Sequence, residues 1–205
     1  MEIRNIFCVG RNYGLHAREL GNEVPSEPML FTKPTHAVVW ADGQAISLPK
    51  NVGAIHHEVE IVLHIGREYQ SGLTVDELAD WMAIGIDFTL RDVQTQLKQQ
   101  GYPWLRAKGF LNSAVLTRPI PFPGVRACEE KVFALHRNGL QVQIGNIREM
   151  TYSIQTIVDF TAQHFGLGVG DILFTGTPNG VGPVGQGDVL NLLWDHQEVG
   201  KITIL

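Results

Sequence analysis

The segment IHHEVEIVLHIG, running from Ile55 to Gly66, constrains the fold more than any other stretch of the chain. Polar and apolar residues alternate along it, so it reads as a half-apolar strand. On that reading Glu58 and Glu60 share one face, and side chains two apart on a strand have alpha carbons about 6.5 Å apart. Two carboxylates so placed repel each other unless a cation sits between them. Their oxygens suit a hard ion such as Mg2+, Mn2+ or Ca2+ better than zinc. A solvated outer face is the alternative reading of the same pair. His56 lies on that face too, and reads as a neighbour because an imidazole is foreign to an all-oxygen site.

Most of the remaining chain is strand-like. HAVVW, KVFALHRNGLQVQIGN, DILFTG and DVLNLLWDHQEVGKITIL alternate or run apolar in short bursts between glycines and prolines. Asn138-Gly139 and the DHQEVG stretch are hairpin signals. Helical signals are few. TVDELADWMA opens with Thr74 and carries Glu77 three residues on, a capping box, and TLRDVQTQLKQQG repeats the spacing at Thr89 and Asp92 before stopping at Gly101. SIQTIVDFTAQHFG begins at Ser153, buries Ile154, Ile157, Val158 and Phe165 on one side, and ends at Gly166. LHARELG supports a two-turn helix that is marginal alone. Strands and helices do not alternate, so the pattern predicts an α+β, strand-rich chain with a mixed sheet or folded sandwich and excludes a Rossmann-type sheet.

Composition narrows the function classes. A chain of 205 residues fits one domain, and a net charge of -5 with no basic stripe argues against nucleic acid as a partner. Cys8 and Cys128 have no disulfide or metal-motif spacing and read as small buried hydrophobes. No apolar run approaches a membrane span, and MEIRNIFCVG lacks the features of a secretory signal, so a cytoplasmic location is expected.

Further candidates lie downstream. Asp87 interrupts an apolar strand just before a helix, where it can serve as a third metal ligand or as a plain cap. Arg91 and Gln94 share a helical face, suited either to holding a carboxylate and a keto oxygen or to solvent. In WLRAKGF, Lys108 either anchors an anion or snorkels from an apolar patch. LFTGTPNGVGP lacks the lysine of a P-loop and better suits a tight loop presenting backbone amides and Thr175 or Thr177 to a small ligand. His16 and Glu19 are one helical turn apart, the spacing of a carboxylate-oriented base or of a surface pair.

Taken in order, CVGRNYGLHAREL, LFTKPTHAVV, HHEVEIVLHIGR, GIDFTLRDVQ, RAKGF and FTGTPNGVGP resemble the fumarylacetoacetate hydrolase family, from about residue 2 to the C-terminus. In particular they look like the short, single-domain members that include acylpyruvases and oxaloacetate-processing enzymes. The resemblance implies a mixed β-sandwich roll, one catalytic domain over residues 1–205 with a lid helix within residues 1–20, no N-terminal accessory domain, and a homodimer with one Mg2+ or Mn2+ per subunit. The family's metal triad falls on Glu58, Glu60 and Asp87, its substrate-holding groups on Arg11, Arg91, Gln94, Lys108 and Thr177, and its water-activating pair on His16 and Glu19.

The leading expectation is cleavage of the carbon–carbon bond of an acylpyruvate or fumarylpyruvate, with Lys108 stabilising a pyruvate-like enolate. Decarboxylation or enol–keto tautomerisation of oxaloacetate is the runner-up, and a non-catalytic binder of small dicarboxylates is the alternative of another class. Specificity is expected from the lid residues Tyr13, Leu15 and Leu20 and from the surroundings of Tyr102 and Trp104.

Overall fold

The strand expected over residues 55–66 divides at Glu58. The computed structural model describes residues 2–14 and 25–205. In chain order the strands are β1 Ile6–Gly10, β2 Met29–Lys33, β3 Val38–Trp40, β4 Asp42–Ile46, β5 Ile55–His57, β6 Val59–Ile65, β7 Ala79–Asp87 and β8 Thr89–Leu90. They continue as β9 Ala114–Leu116, β10 Ile120–Pro121, β11 Phe133–Arg137, β12 Leu140–Gly145, β13 Ile172–Phe174, β14 Gly182–Val184, β15 Val189–Trp194 and β16 Gln197–Ile204. The helices are α1 Val75–Leu78, α2 Arg91–Gln100, α3 Leu105–Lys108, α4 Val125–Glu129 and α5 Ile154–Phe165.

An eight-stranded sheet in the order β2-β1-β13-β6-β7-β9-β3, with β10 paired to β7, packs against a five-stranded sheet, β12-β11-β15-β16-β4. A small sheet, β14-β5-β8, closes one end. Pairing is mixed: β1–β13, β3–β9 and β4–β16 are parallel, while β6–β7 and β11–β12 are antiparallel. This is the strand-rich α+β architecture that the patterning predicts.

Alternation along β6 explains the packing. Val59, Ile61, Leu63 and Ile65 enter the main core, together with Phe133, Leu135, Leu190 and Leu192 of the five-stranded sheet. Val62, on the opposite face, joins a second core of Cys8, Ala83, Leu116 and Phe174. Both faces of the large sheet are therefore buried, as a curled sheet requires. Gly85 makes the curl tight: a Cβ there would lie 2.7 Å from Val62 Cγ2 and 2.8 Å from Phe174 Cε1.

Local signals held unevenly. Thr74 and Glu77 do form the capping box, but α1 spans only Val75–Leu78 before the chain extends into β7. The second expected box does not form. Thr89 lies in β8, and α2 begins at Arg91 with Leu90 as an N-cap that offers no side-chain bond. Gly101 ends α2 in the left-handed conformation, at φ 67°. Ser153 caps α5 by accepting from Thr156 N, and Ile154, Ile157 and Val158 are buried, but Phe165 is 59% exposed at the last turn. The hairpin turns at Asn138-Gly139 and Asp195-His196 are present, all four residues at positive φ. Both cysteines are free and buried. The LHARELG helix lies outside the described residues. No helix among the described residues is long and apolar enough to cross a membrane.

Candidate metal centre

Because Glu58 is the joint between β5 and β6, its side chain and that of Glu60 reach the same end of the curled sheet. Asp87, the last residue of β7, comes alongside, and its backbone N donates to Glu58 O at 2.8 Å. Each of the three residues offers a carboxylate oxygen, and these oxygens lie within 4.8 Å of one another. All three side chains are buried, Asp87 to 1% exposure. A solvated outer face is thereby excluded for Glu58 and Glu60.

Buried like charges need compensation. Lys108 Nζ donates to Asp87 Oδ2 at 2.5 Å and to Glu58 Oε2 at 2.8 Å. Lys33 Nζ lies 2.7 Å from Asp87 Oδ1, an ion-pair contact without hydrogen-bond alignment, since that oxygen accepts no hydrogen bond. Arg91 Nη2 donates to Glu58 Oε1 at 2.5 Å, and the Thr89 hydroxyl donates to the same oxygen at 3.0 Å. Glu60 is the least compensated. It accepts from Gly176 N at 2.7 Å, yet burial, then the charges of Asp87 and Glu58, push its pKa well above the usual carboxylate range. Burial alone would lower the Lys108 pKa, but Asp87 and Glu58 outweigh it and hold the ammonium above the ordinary lysine value.

A hard divalent cation fits this donor set. The ligands are all oxygens, one of them accepts no hydrogen bond, and Glu60 lacks a cationic partner of its own among the described ion pairs. His56 is not in the cluster. Its Nδ1 accepts from Arg91 Nε at 3.3 Å, and burial and then the Arg91 charge lower its pKa, so it stays neutral and orients the guanidinium.

The cleft above the carboxylates is lined by Val9, Gly10, Arg11, Phe31, Arg91, Gln94, Lys98, Trp104, Lys108 and Thr177. Arg11, Arg91, Gln94, Lys108 and Thr177 are thus brought together in one cleft. Arg91 Nη1 donates to Gln94 Oε1 at 2.6 Å, which occupies the acceptor end of that amide and leaves only its nitrogen to serve as a donor. Of the two threonines, Thr175 is committed to Ile61 O, while Thr177 reaches the cleft. His16 and Glu19, with Leu15 and Leu20, lie outside the described residues. Tyr13 is not a lid residue: it is 2% exposed, sits in the main core and meets Phe133 edge-on at 6.4 Å. Tyr102 is 59% exposed, whereas Trp104 lines the cleft and lies 5.9 Å from Phe31, centroid to centroid.

Sequence reasoning missed Lys33, Lys98, Phe31 and Thr89. Lys33 had a legible signal, being the one charged residue in the strand MLFTK. Lys98 had none, because a lysine on an amphipathic helix is ordinarily solvent-facing. Here its Nζ lies 5.3 Å from the Trp104 ring centroid at the cleft.

The sequence profile of the fumarylacetoacetate hydrolase C-terminal family matches residues 5–202. The chain belongs to this family. Among relatives of the fumarylacetoacetate hydrolase family, it is 37% identical over 198 residues to the oxaloacetate tautomerase YcgM of Escherichia coli, covering 94% of this chain and 89% of that one. It is 34% identical over 190 residues to a mitochondrial oxaloacetate decarboxylase of Dictyostelium discoideum, covering 91% and 87%. Among solved structures, fumarylpyruvate hydrolase from Pseudomonas aeruginosa in complex with Mn2+ and pyruvate superposes with a TM-score of 0.91 at 32% identity, covering 99% of this chain and 90% of that one. These relatives place the chain among enzymes of the fumarylacetoacetate hydrolase family.

Proposed function

We propose that this chain is a divalent-metal-dependent enzyme acting on a small 2-oxo dicarboxylate, with enol–keto interconversion of oxaloacetate as its reaction. The observation that carries this reading is the charge of the cleft. Arg11, Lys33, Arg91, Lys98 and Lys108 surround three carboxylates, so a bound divalent ion leaves a positive surplus that a dianion matches better than a monoanion. The likeness to an oxaloacetate tautomerase at 37% identity and to an oxaloacetate decarboxylase at 34% identity supports it.

Glu58, Glu60 and Asp87 would hold Mg2+ or Mn2+. When bound, that ion supplies Lewis-acid polarisation of the substrate's 2-oxo and carboxylate oxygens. Lys108, held protonated between its carboxylates, keeps a positive charge beside the oxygen on which enolate charge develops. Arg91 and the Gln94 amide orient the 2-oxo acid end, and Lys98 with Arg11 faces the distal carboxylate. His16, with Glu19 three residues on in the sequence, is the candidate to exchange the proton at C3.

A second reading, hydrolysis of a fumarylpyruvate-type substrate, is favoured by the likeness to the Mn2+- and pyruvate-bound hydrolase. It uses the same grip on the 2-oxo acid and asks His16 to activate a water instead. Enol absorbance and pyruvate release, followed with oxaloacetate, fumarylpyruvate and acetylpyruvate in Mg2+ or in EDTA, separate the two. Metal-dependent acceleration of oxaloacetate interconversion is expected. Turnover of fumarylpyruvate with oxaloacetate left at its uncatalysed rate would replace the first reading with the second, and no turnover of any substrate would leave a binder.

A further inference from the structure

The strand β12 wears its residues inside out. Gln143 is 2% exposed, while its apolar neighbour Ile144 is 39% exposed. The register explains the inversion. Leu135 of β11 faces Gln143, the next residue His136 faces Gln141, and Val142 is therefore the extra residue of a bulge. Bulges re-aim side chains, and this one turns an amide away from solvent and toward the large sheet.

There the amide uses its full capacity. Oε1 accepts from His57 Nδ1 at 2.8 Å and from Val59 N at 3.0 Å. Nε2 donates to Thr177 Oγ1 at 2.9 Å and to Pro178 O at 3.0 Å. Thr177 in turn donates to Val59 O at 2.8 Å. One side chain of the five-stranded sheet thus grips both peptide neighbours of Glu58 and the threonine in the cleft wall.

We infer that Gln143 is a positioning residue of the metal centre, setting affinity for the divalent ion through its acceptor half and for the oxo acid through its donor half. The acceptor half fixes His57 and Val59, between which Glu58 must present its carboxylate. The donor half fixes the polarity of Thr177. With its proton spent on Val59 O and one lone pair on Gln143, that hydroxyl can offer the cleft only an acceptor, which suits an enol hydroxyl or a water that passes its other proton on to a carboxylate of the ligand. Such outer supports decide how well ligands are held in place.

The inference rests on the metal-dependent reading above, and calorimetry separates the two. Mg2+ is titrated into the metal-free full chain, and oxalate into the Mg2+-loaded chain, for wild type, Gln143→Met and Gln143→Glu. Methionine keeps the length and removes all four bonds; glutamate keeps the acceptors but cannot donate to Thr177 or Pro178. Gln143→Met is expected to weaken Mg2+ binding about 10–100-fold. Gln143→Glu is expected to hold Mg2+ more tightly than Gln143→Met does, yet to weaken oxalate by about tenfold or more. A merely structural role would lower thermal stability without splitting the two affinities. Wild-type Mg2+ affinity in folded Gln143→Met overturns the inference, as does wild-type oxalate affinity in Gln143→Glu, which decides alone if the methionine variant does not fold. Failure of wild type to bind Mg2+ or Mn2+ overturns the metal-dependent reading itself, and this inference with it.

Discussion

The ammonium of Lys108 lies 2.5 Å from Asp87 Oδ2 and bridges that carboxylate to Glu58, whose Oε2 is 2.8 Å away. Removing it strips two buried carboxylates of a shared partner. Breaking a buried pair costs roughly 3–5 kcal/mol, because a charge is left uncompensated. Lys108→Met is therefore expected to lower Tm sharply in EDTA, and a divalent ion should recover much of the loss by neutralising the same carboxylates. Its kcat should fall by about 10²–10³, the usual effect of deleting one preorganised stabiliser of developing negative charge. Thermal melts with and without Mg2+ check the first half and oxaloacetate kinetics the second. A variant equally stable in EDTA and Mg2+ contradicts the shared-site picture.

Glu60 makes metal binding compete with protons. Its folded pKa is raised well above 4.5 by burial and by Asp87 and Glu58. The sign for the metal-free protein follows: a raised carboxyl pKa gives stability below the unfolded value, lost as pH rises through the folded one. In EDTA, Tm should fall as pH rises above 4.5, while Mg2+ should bind more tightly over the same interval and release a proton on binding. Titrations in two buffers of different ionisation enthalpy measure that proton. An Mg2+ affinity indifferent to pH across this range would remove Glu60 from the ligand set.

Lys98 tests the dicarboxylate assignment. Burial first, then the charges of Arg11 and Arg91, lower its pKa, so it belongs to a cationic cluster in which an anion is welcome. Lys98→Met should raise KM for oxaloacetate by about tenfold, while a monoanionic acylpyruvate, lacking the distal carboxylate, should change little. Equal effects on both would show that Lys98 supports the cleft without reading the substrate's far end.

How much of this was legible beforehand depends on the distance over which the signal acts. The triad and Lys108 were legible because each breaks a local pattern: carboxylates in an apolar strand, a lysine between small and aromatic residues. Thr89 misled because its spacing to Asp92 imitates a capping box, whereas Glu58, distant in sequence, claims its hydroxyl. Tyr13 misled for a similar reason, since its neighbours in sequence point to a lid while its ring packs on Phe133 of the other sheet. Gln143 had a signal that went unread, an amide at an inward position beside an outward isoleucine, and only the bulge at Val142 tells which way the alternation runs. The division of one strand at Glu58 was beyond local reading, because it is imposed by pairing with β8 and β14 on one side and with β7 and β13 on the other.

Gly85 connects the packing of the curled sheet to the site. It is the cross-strand partner of Glu60, and an added Cβ would come within 2.7 Å of Val62 Cγ2, 2.8 Å of Phe174 Cε1 and 2.9 Å of Val115 O. The Val115 carbonyl is backbone held by the sheet, and Val62 and Phe174 are fully buried, so none can yield without moving a strand. Overpacking of this kind costs about 1–3 kcal/mol. For a chain of this size Gly85→Ala should lower Tm by roughly 3–10 °C. Val62, the nearest of the three contacts, lies on β6 two residues from Glu60, so Glu60 should shift with it and Mg2+ affinity should fall alongside Tm. Melting curves and metal titrations on the same preparation check both, and a variant that loses stability while keeping wild-type metal affinity would show that the sheet absorbs the methyl group without disturbing the carboxylates.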